Sequence, residues 1–449
     1  MYLNYLILGL ASLLCIDYFF FFNKRLSTPA FLFNVGFFIC AAILKLFENV
    51  WHVKLHEDTF LLILSGNISI SLASFLMRRE SPSIREIQGG DQPPSSCIII
   101  SIEKLKLFFC LQVFNALLKI YLLLRYYGTG SVAVALFMHT EAIKSEGNAM
   151  EYPIGLGFVS NTIEIMAGII PALCAFYLSS SYISKRHKVW MSINAIFAMV
   201  FSLLSSGRTF MLYYLIIFCS IYMMTFYCRG KVFPIKKIVL YCIGGYLFLF
   251  AFQQLGYLIG REKNDSTAEL VIGVYCGAEI LNLDDLIHRQ TDVPPNQYWG
   301  NQTFYLFYDQ LQTLGLAKLK YTRRDYHPFN VAGGYGIGNV ASAFQDYYFD
   351  FGLFGTIVIC FLIGLIMEYI HQKSLKSYFF RNGIVDFWLM LYIIFIPAIF
   401  MSFFSEQFFK QLANILSLKY WFKLVLLFYL FYGFTPFKLR KEYKNNDEK

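Results

Sequence analysis

Asp346-Tyr347-Tyr348-Phe349-Asp350-Phe351-Gly352-Leu353-Phe354-Gly355 is the stretch on which the reading of this chain turns. It closes the one long polar segment, residues 261–345, and opens an apolar run that continues to residue 369. About 20 consecutive apolar residues are enough to cross a hydrocarbon core about 30 Å thick. In lipid every backbone polar group must be satisfied internally, and a continuous rather than alternating apolar run does this as an α-helix. Outward from this point the same pattern recurs. It predicts about eleven spans, near 3–22, 29–50, 58–77, 106–126, 154–180, 189–205, 209–228, 235–258, 346–369, 384–405 and 412–433. The expected fold is an all-α polytopic membrane protein, one integral membrane domain over 1–449, with a single long helical loop outside the membrane.

Composition agrees. Hydrophobic residues make up 57% and charged residues 15% of the chain, and the mean hydropathy is +0.51. A soluble domain carries roughly 25% charged residues. No basic run precedes the first span and Asn23-Lys24-Arg25 follows it, so this span is expected to remain as an anchor rather than be removed as a signal peptide.

Lys and Arg divide unevenly between the two sets of loops. One set, with dense clusters such as Arg78-Arg79, Lys185-Arg186 and Lys236-Lys237, holds 22, and the other holds 12. Clusters in short loops mark the cytoplasmic side. This predicts an outer amino terminus, a cytoplasmic carboxyl terminus, a cytoplasmic loop at 78–104 rich in Pro, Gly and Ser, and an extracytoplasmic loop at 261–345. The net charge of +9 lies mostly beside the membrane, where cations meet anionic headgroups, and does not indicate nucleic acid. Of ten cysteines only Cys276 falls in the long loop, and no Cys-x-x-Cys pair suggests a metal. No bound metal or cofactor is expected.

Within the long loop, Ser266-Thr267-Ala268-Glu269 is a capping-box pattern ahead of a helical run, and a second helical run spans Thr303 to Leu316. These pieces are expected to lie on the outer membrane surface and roof a cavity. Arg208, in the hairpin Ser205-Ser206-Gly207-Arg208, and Arg261, in Gly260-Arg261-Glu262, sit at one membrane level on neighbouring helices. With Arg323 and Arg324 they offer guanidinium forks for phosphate oxygens. The exit of the loop, His327-Pro328-Phe329-Asn330 through Gly333-Gly334-Tyr335-Gly336-Ile337-Gly338-Asn339-Val340, cannot form a regular helix and lets backbone approach a ligand. It is not a nucleotide loop, since no strand precedes it and no Gly-Lys-Ser/Thr follows. Asp346 and Asp350, one turn apart, either orient sugar hydroxyls or pair with the arginines.

The order of these features resembles the oligosaccharide repeat unit polymerases, the Wzy-type O-antigen and capsule polymerases of bacterial envelopes. The resemblance covers roughly residues 190–370. It rests on Arg208, Arg261, Asn339-Val340 and Asp350-Phe351-Gly352 together with the topology. It implies a GT-C-like, metal-independent glycosyltransferase of the bacterial inner membrane, acting on its outer face. Such an enzyme transfers a growing glycan from undecaprenyl diphosphate onto the next lipid-linked repeat unit. The implied partners are that donor and acceptor, membrane lipids and a chain-length regulator. For this chemistry Arg208, Arg261, Arg323 and Arg324 would hold the departing diphosphate. His327 is the first candidate for general base, ahead of Glu279 and Asp350. Trp299, Tyr298 and Tyr335 could stack on sugar faces, and Asn339 joins the sugar-binding candidates. A glycan ligase of similar topology and a flippase for the same lipids are the alternative classes.

Overall fold

A computed structural model describes residues 1–78, 99–145, 154–205, 209–228, 268–289, 298–316, 318, 330–377 and 379–432. Their fold is almost entirely helical, as an all-α membrane protein requires. Seven described helices are long and apolar enough to cross a membrane, or eight if the bent pair at Phe408–Leu416 and Leu418–Tyr432 counts as one span. The expected span at 235–258 lies outside the described residues. Those expected at 189–205 and 384–405 form shorter helices, Lys185–Phe201 and Phe387–Phe400, the second carrying Pro397 inside it.

The helices are α1 (Tyr2–Ile16), α2 (Pro29–Leu46), α3 (Glu57–Met77), α4 (Ile102–Tyr127), α5 (Val132–Ser145), α6 (Ile154–Ser179), α7 (Lys185–Phe201) and α8 (Thr209–Cys228). They continue as α9 (Ala268–Cys276), α10 (Ala278–Arg289), α11 (Tyr305–Thr313), α12 (Ala343–Leu375), α13 (Phe379–Asn382), α14 (Phe387–Phe400), α15 (Phe408–Leu416) and α16 (Leu418–Tyr432). A two-stranded hairpin, β1 (Asn330–Ala332) and β2 (Tyr335–Gly338), is the one departure from an all-α chain among the described residues. The chain divides into two compact units. One draws on 1–82, 267–376 and 394–417, the other on 83–266, 377–393 and 418–449.

In the first unit α12 lies along α3. Small residues permit the close crossing: a Cβ at Gly364 would come within 2.7 Å of the Ile70 carbonyl oxygen, and one at Gly66 would meet the ring of Phe344. Close backbone approach at small residues is how helices associate where lipid removes the hydrophobic driving force. Phe37 packs on Phe33 and on Phe344, with ring centroids 4.9 and 4.8 Å apart. α1 ends in a π-helical turn, Asp17–Phe21, which brings Asp17 into the bundle. There Asn34 Nδ2 donates to Asp17 Oδ2 at 2.6 Å, and Ser71 Oγ donates to the same oxygen at 3.0 Å. A carboxylate inside a membrane bundle is costly unless partnered, and here α2 and α3 each supply a donor. A second buried polar group joins Ser27 to His371 and Glu368 on α12, at 3.4 Å for each contact.

The second unit packs α6 between α7 and α8. Gln112 donates to Asn194 Oδ1 at 2.8 Å, and Asn194 donates onward to the Leu105 carbonyl at 3.1 Å. Lys119 and Glu164, two of the few charges the sequence puts inside spans, form an ion pair with each other. In the first unit Lys45 and Glu48 do the same. Pairing within the span removes most of the cost that isolated charges would carry there.

Candidate functional site

The described parts of the polar segment pack against the first unit's helices. α9 and α10 do more than roof the membrane, because they lie along α2. A Cβ at Gly277 would sit 3.0 Å from the Leu44 backbone nitrogen, and one at Gly273 would strike the Phe47 ring. Glycine at these two positions lets the segment seat itself on the helix.

α10 presents Glu279, Asn282 and Asp284 inward, all buried. Asn282 Nδ2 donates to the Val340 carbonyl at 2.8 Å and receives Asn330 Nδ2 on its Oδ1 at 3.1 Å. One side chain thus holds both ends of the hairpin. The hairpin turns at Gly333-Gly334, with φ of +57° and +83°. Two consecutive positive φ values are what a tight two-residue hairpin turn needs, and glycine supplies them without strain. The close backbone approach expected of the glycine-rich run is made at Gly333, against the Val50 carbonyl in the α2–α3 connection. Tyr335 projects from β2 with 43% of its surface exposed, and Asn339 follows the hairpin at intermediate exposure.

Asp350 lies in the first part of α12, before a break at Gly352, where φ is +67° and ψ is −171°. Its carboxylate accepts the backbone N–H of Gln302 at 3.2 Å and of Thr303 at 2.6 Å. These donors precede α11, so Asp350 fixes the approach to that helix. Trp299 stands beside it, 75% exposed, with its ring centroid 4.9 Å from Phe351 and 5.7 Å from Phe304. The Trp299 carbonyl accepts from Tyr308 Oη at 2.8 Å, and Tyr298 stacks on Tyr308 at 4.9 Å. The result is a firmly held indole with a face open to the surroundings.

Glu279 points the other way. Its Oε2 accepts from Cys40 Sγ of α2 at 3.6 Å, and its Oε1 has no partner among the described residues. Burial pushes its carboxyl up to about 8. The charged form is disfavoured because the few hydrogen bonds to the carboxyl do not make up for the lost hydration. Burial also pushes the neighbouring Cys276 thiol up to about 12.

Of the predicted site residues, Trp299 and Asp350 are brought together, Tyr335 and Asn339 share the hairpin region, and Glu279 lies behind it on α10. Arg208, Arg261, Arg323, Arg324 and His327 fall outside the described residues. The sequence reading missed Asn282, Asn330 and a cluster of His56, Asp284 and His288. For that cluster one signal was present, the i, i+4 spacing of Asp284 and His288 on one helix face. His56 is 228 residues from Asp284, and only folding joins them.

The chain matches no protein-family model, no characterised protein and no solved structure with which it was compared.

Proposed function

We propose that this protein is a membrane glycosyltransferase that extends a glycan carried on undecaprenyl diphosphate, using lipid-linked oligosaccharide repeat units on the outer face of a bacterial plasma membrane. The observation that carries this reading is the corner at Asp350-Phe351-Gly352. An exposed indole is fixed there beside a carboxylate-anchored loop, at the head of a membrane-length helix. An aromatic face held open at the end of a span suits the apolar face of a sugar ring, as such side chains combine a stacking surface with a polar rim. Glycosyl transfer from a diphosphate also needs preorganised cations for the leaving group, a role we assign to Arg208 and Arg261 with Arg323 and Arg324 in support. We assign the base to His327, because Glu279 faces Cys40 and Asp350 is occupied by two backbone donors.

Disrupting the gene and reading the surface glycan on a gel tests the proposal. Loss of the ladder of repeat numbers, restored by the wild-type gene but by neither Arg208→Ala nor Arg261→Ala at equal abundance, is the expected result. A charge-assisted contact is worth about 1.5–3 kcal/mol, or roughly ten- to a hundredfold in turnover. An unchanged ladder after disruption overturns the proposal. A full ladder with capping of the final acceptor lost would instead identify a ligase.

A further inference from the structure

The His56, Asp284 and His288 cluster uses none of the residues assigned to glycan transfer. Asp284 has only 2% of its side chain exposed, while His56 and His288 have 54% and 31%. The carboxylate accepts the His56 backbone N–H on Oδ1 at 3.1 Å and faces His56 Nδ1 across 2.8 Å on Oδ2. The carboxylate only accepts, so without an ion His56 Nδ1 donates in that contact, and a cation taking the place of that proton would bridge Nδ1 and Asp284 Oδ2. His288 Nδ1 lies 2.9 Å from the Asp284 carbonyl oxygen and 3.8 Å from Asp284 Oδ1, so it faces the same carboxylate. Its Nε2 stands 3.9 Å from Asp58 Oδ2. The two imidazoles stack, with centroids 3.7 Å apart and planes 24° apart.

The stack places two imidazoles side by side next to a buried carboxylate. One ligand atom from each of the three residues lies within 4.8 Å of the others. Around tetrahedral zinc, bonds of ~2.0–2.1 Å put neighbouring ligand atoms about 3.3 Å apart, so modest side-chain rotation closes the set.

We propose that His56, His288 and Asp284 form a binding site for a divalent transition cation of the zinc class, with Asp58 at its rim. Imidazole and carboxylate together suit zinc or its neighbours rather than calcium or magnesium, which take oxygen ligands. The ion would tie the start of α3 to α10, the helix whose Asn282 holds the hairpin. The proposal is independent of the glycosyltransferase reading, and its readout is binding.

The test uses the full chain in detergent, purified without a polyhistidine tag, and titrates it with zinc chloride in a calorimeter. We expect one zinc per chain, with affinity falling at least tenfold in His56→Gln and in His288→Gln and unchanged in His187→Gln. Zinc should raise the melting temperature of the wild type and of His187→Gln, since an ion bound to the native state stabilises it. Equal affinity in all four proteins, or no binding to the wild type, overturns the proposal. If the cluster variants fail to fold, the wild type alone decides. Zinc should shield His56 and His288 from diethyl pyrocarbonate, read by mass spectrometry, and equal labelling with and without zinc overturns the site.

Discussion

Glu279 shows how a single side chain can be legible in sequence while its role is not. It reads as an acidic residue in a polar loop, yet its carboxyl lies against Cys40 inside the packed helices. The unfolded chain releases this proton near 4.5, whereas the folded chain keeps it up to about 8. Between those values the unfolded state binds fewer protons, so stability is full below about 4.5 and is lost as pH rises toward 8. Glu279→Gln removes this dependence. Its melting temperature should match the wild type at pH 4.5 and exceed it at pH 8.5, as thermal unfolding in detergent would show; a lower value at pH 8.5 would reveal a cation partnering the carboxylate. Trp299, proposed to stack on a sugar ring, is the opposite case, since the fold leaves it 75% exposed. Trp299→Ala should change the free energy of unfolding by no more than an ordinary surface substitution does, about 0.5 kcal/mol. Under the proposed function it should weaken binding of the lipid-linked glycan, by about 0.5–1.5 kcal/mol for one lost aromatic contact, or roughly two- to tenfold.

At the scale of elements, glycine decides two shapes that hydrophobic pattern alone leaves open. The run Gly333-Gly334-Tyr335-Gly336-Ile337-Gly338 is evidently not helical, but strands of three and four residues are too short for alternation to announce them. The hairpin exists because Asn282 and Asn330 hold it to α10 and because Gly333 tucks under Val50. Gly333→Ala and Gly334→Ala separate these effects. Both force a side chain into positive φ, at about 1 kcal/mol each, but only the first meets the Val50 carbonyl. Gly333→Ala should therefore lower stability by about 2–3 kcal/mol and Gly334→Ala by about 1, measured by denaturant or thermal unfolding. Equal losses would mean that the α2–α3 connection yields. Gly352 plays the corresponding part in α12, where its backbone lies in a region nearly closed to other residues. An Ala there should straighten the helix and withdraw Asp350 from the N–H groups of Gln302 and Thr303. Faster amide exchange at those two positions is the measurable consequence.

At the scale of the whole molecule, orientation in the membrane follows from charge rather than from packing. The excess of Lys and Arg in one set of loops, 22 against 12, predicts that a reporter fused after Lys318 reads extracytoplasmic and one after Lys376 reads cytoplasmic. Swapped readouts would put every proposed site residue in the wrong compartment. The division into two compact units has a plain cause in chain path. Segments near 1–82, 267–376 and 394–417 return to one another across long sequence gaps, as the α3–α12 crossing at Gly66 and Gly364 illustrates. Hydropathy measures each segment by itself and is blind to which segments later meet.

By itself the sequence determined that the chain is helical and membrane-embedded, because apolar length is a local property and lipid leaves the backbone few alternatives. It also located spans such as 209–228 to the residue and marked Trp299 and Asp350 as residues worth watching. Tertiary structure decided what those residues face. The same kind of loop carboxylate became a buried acid at Glu279, an anchor for two N–H groups at Asp350 and the centre of a histidine pair at Asp284. A carboxylate's chemistry depends on its hydration and on the donors within about 3 Å, and here those donors came from α2, from the approach to α11 and from the start of α3. Contacts made across such separations leave no local mark in sequence, so folding alone assigned these three acids their different work.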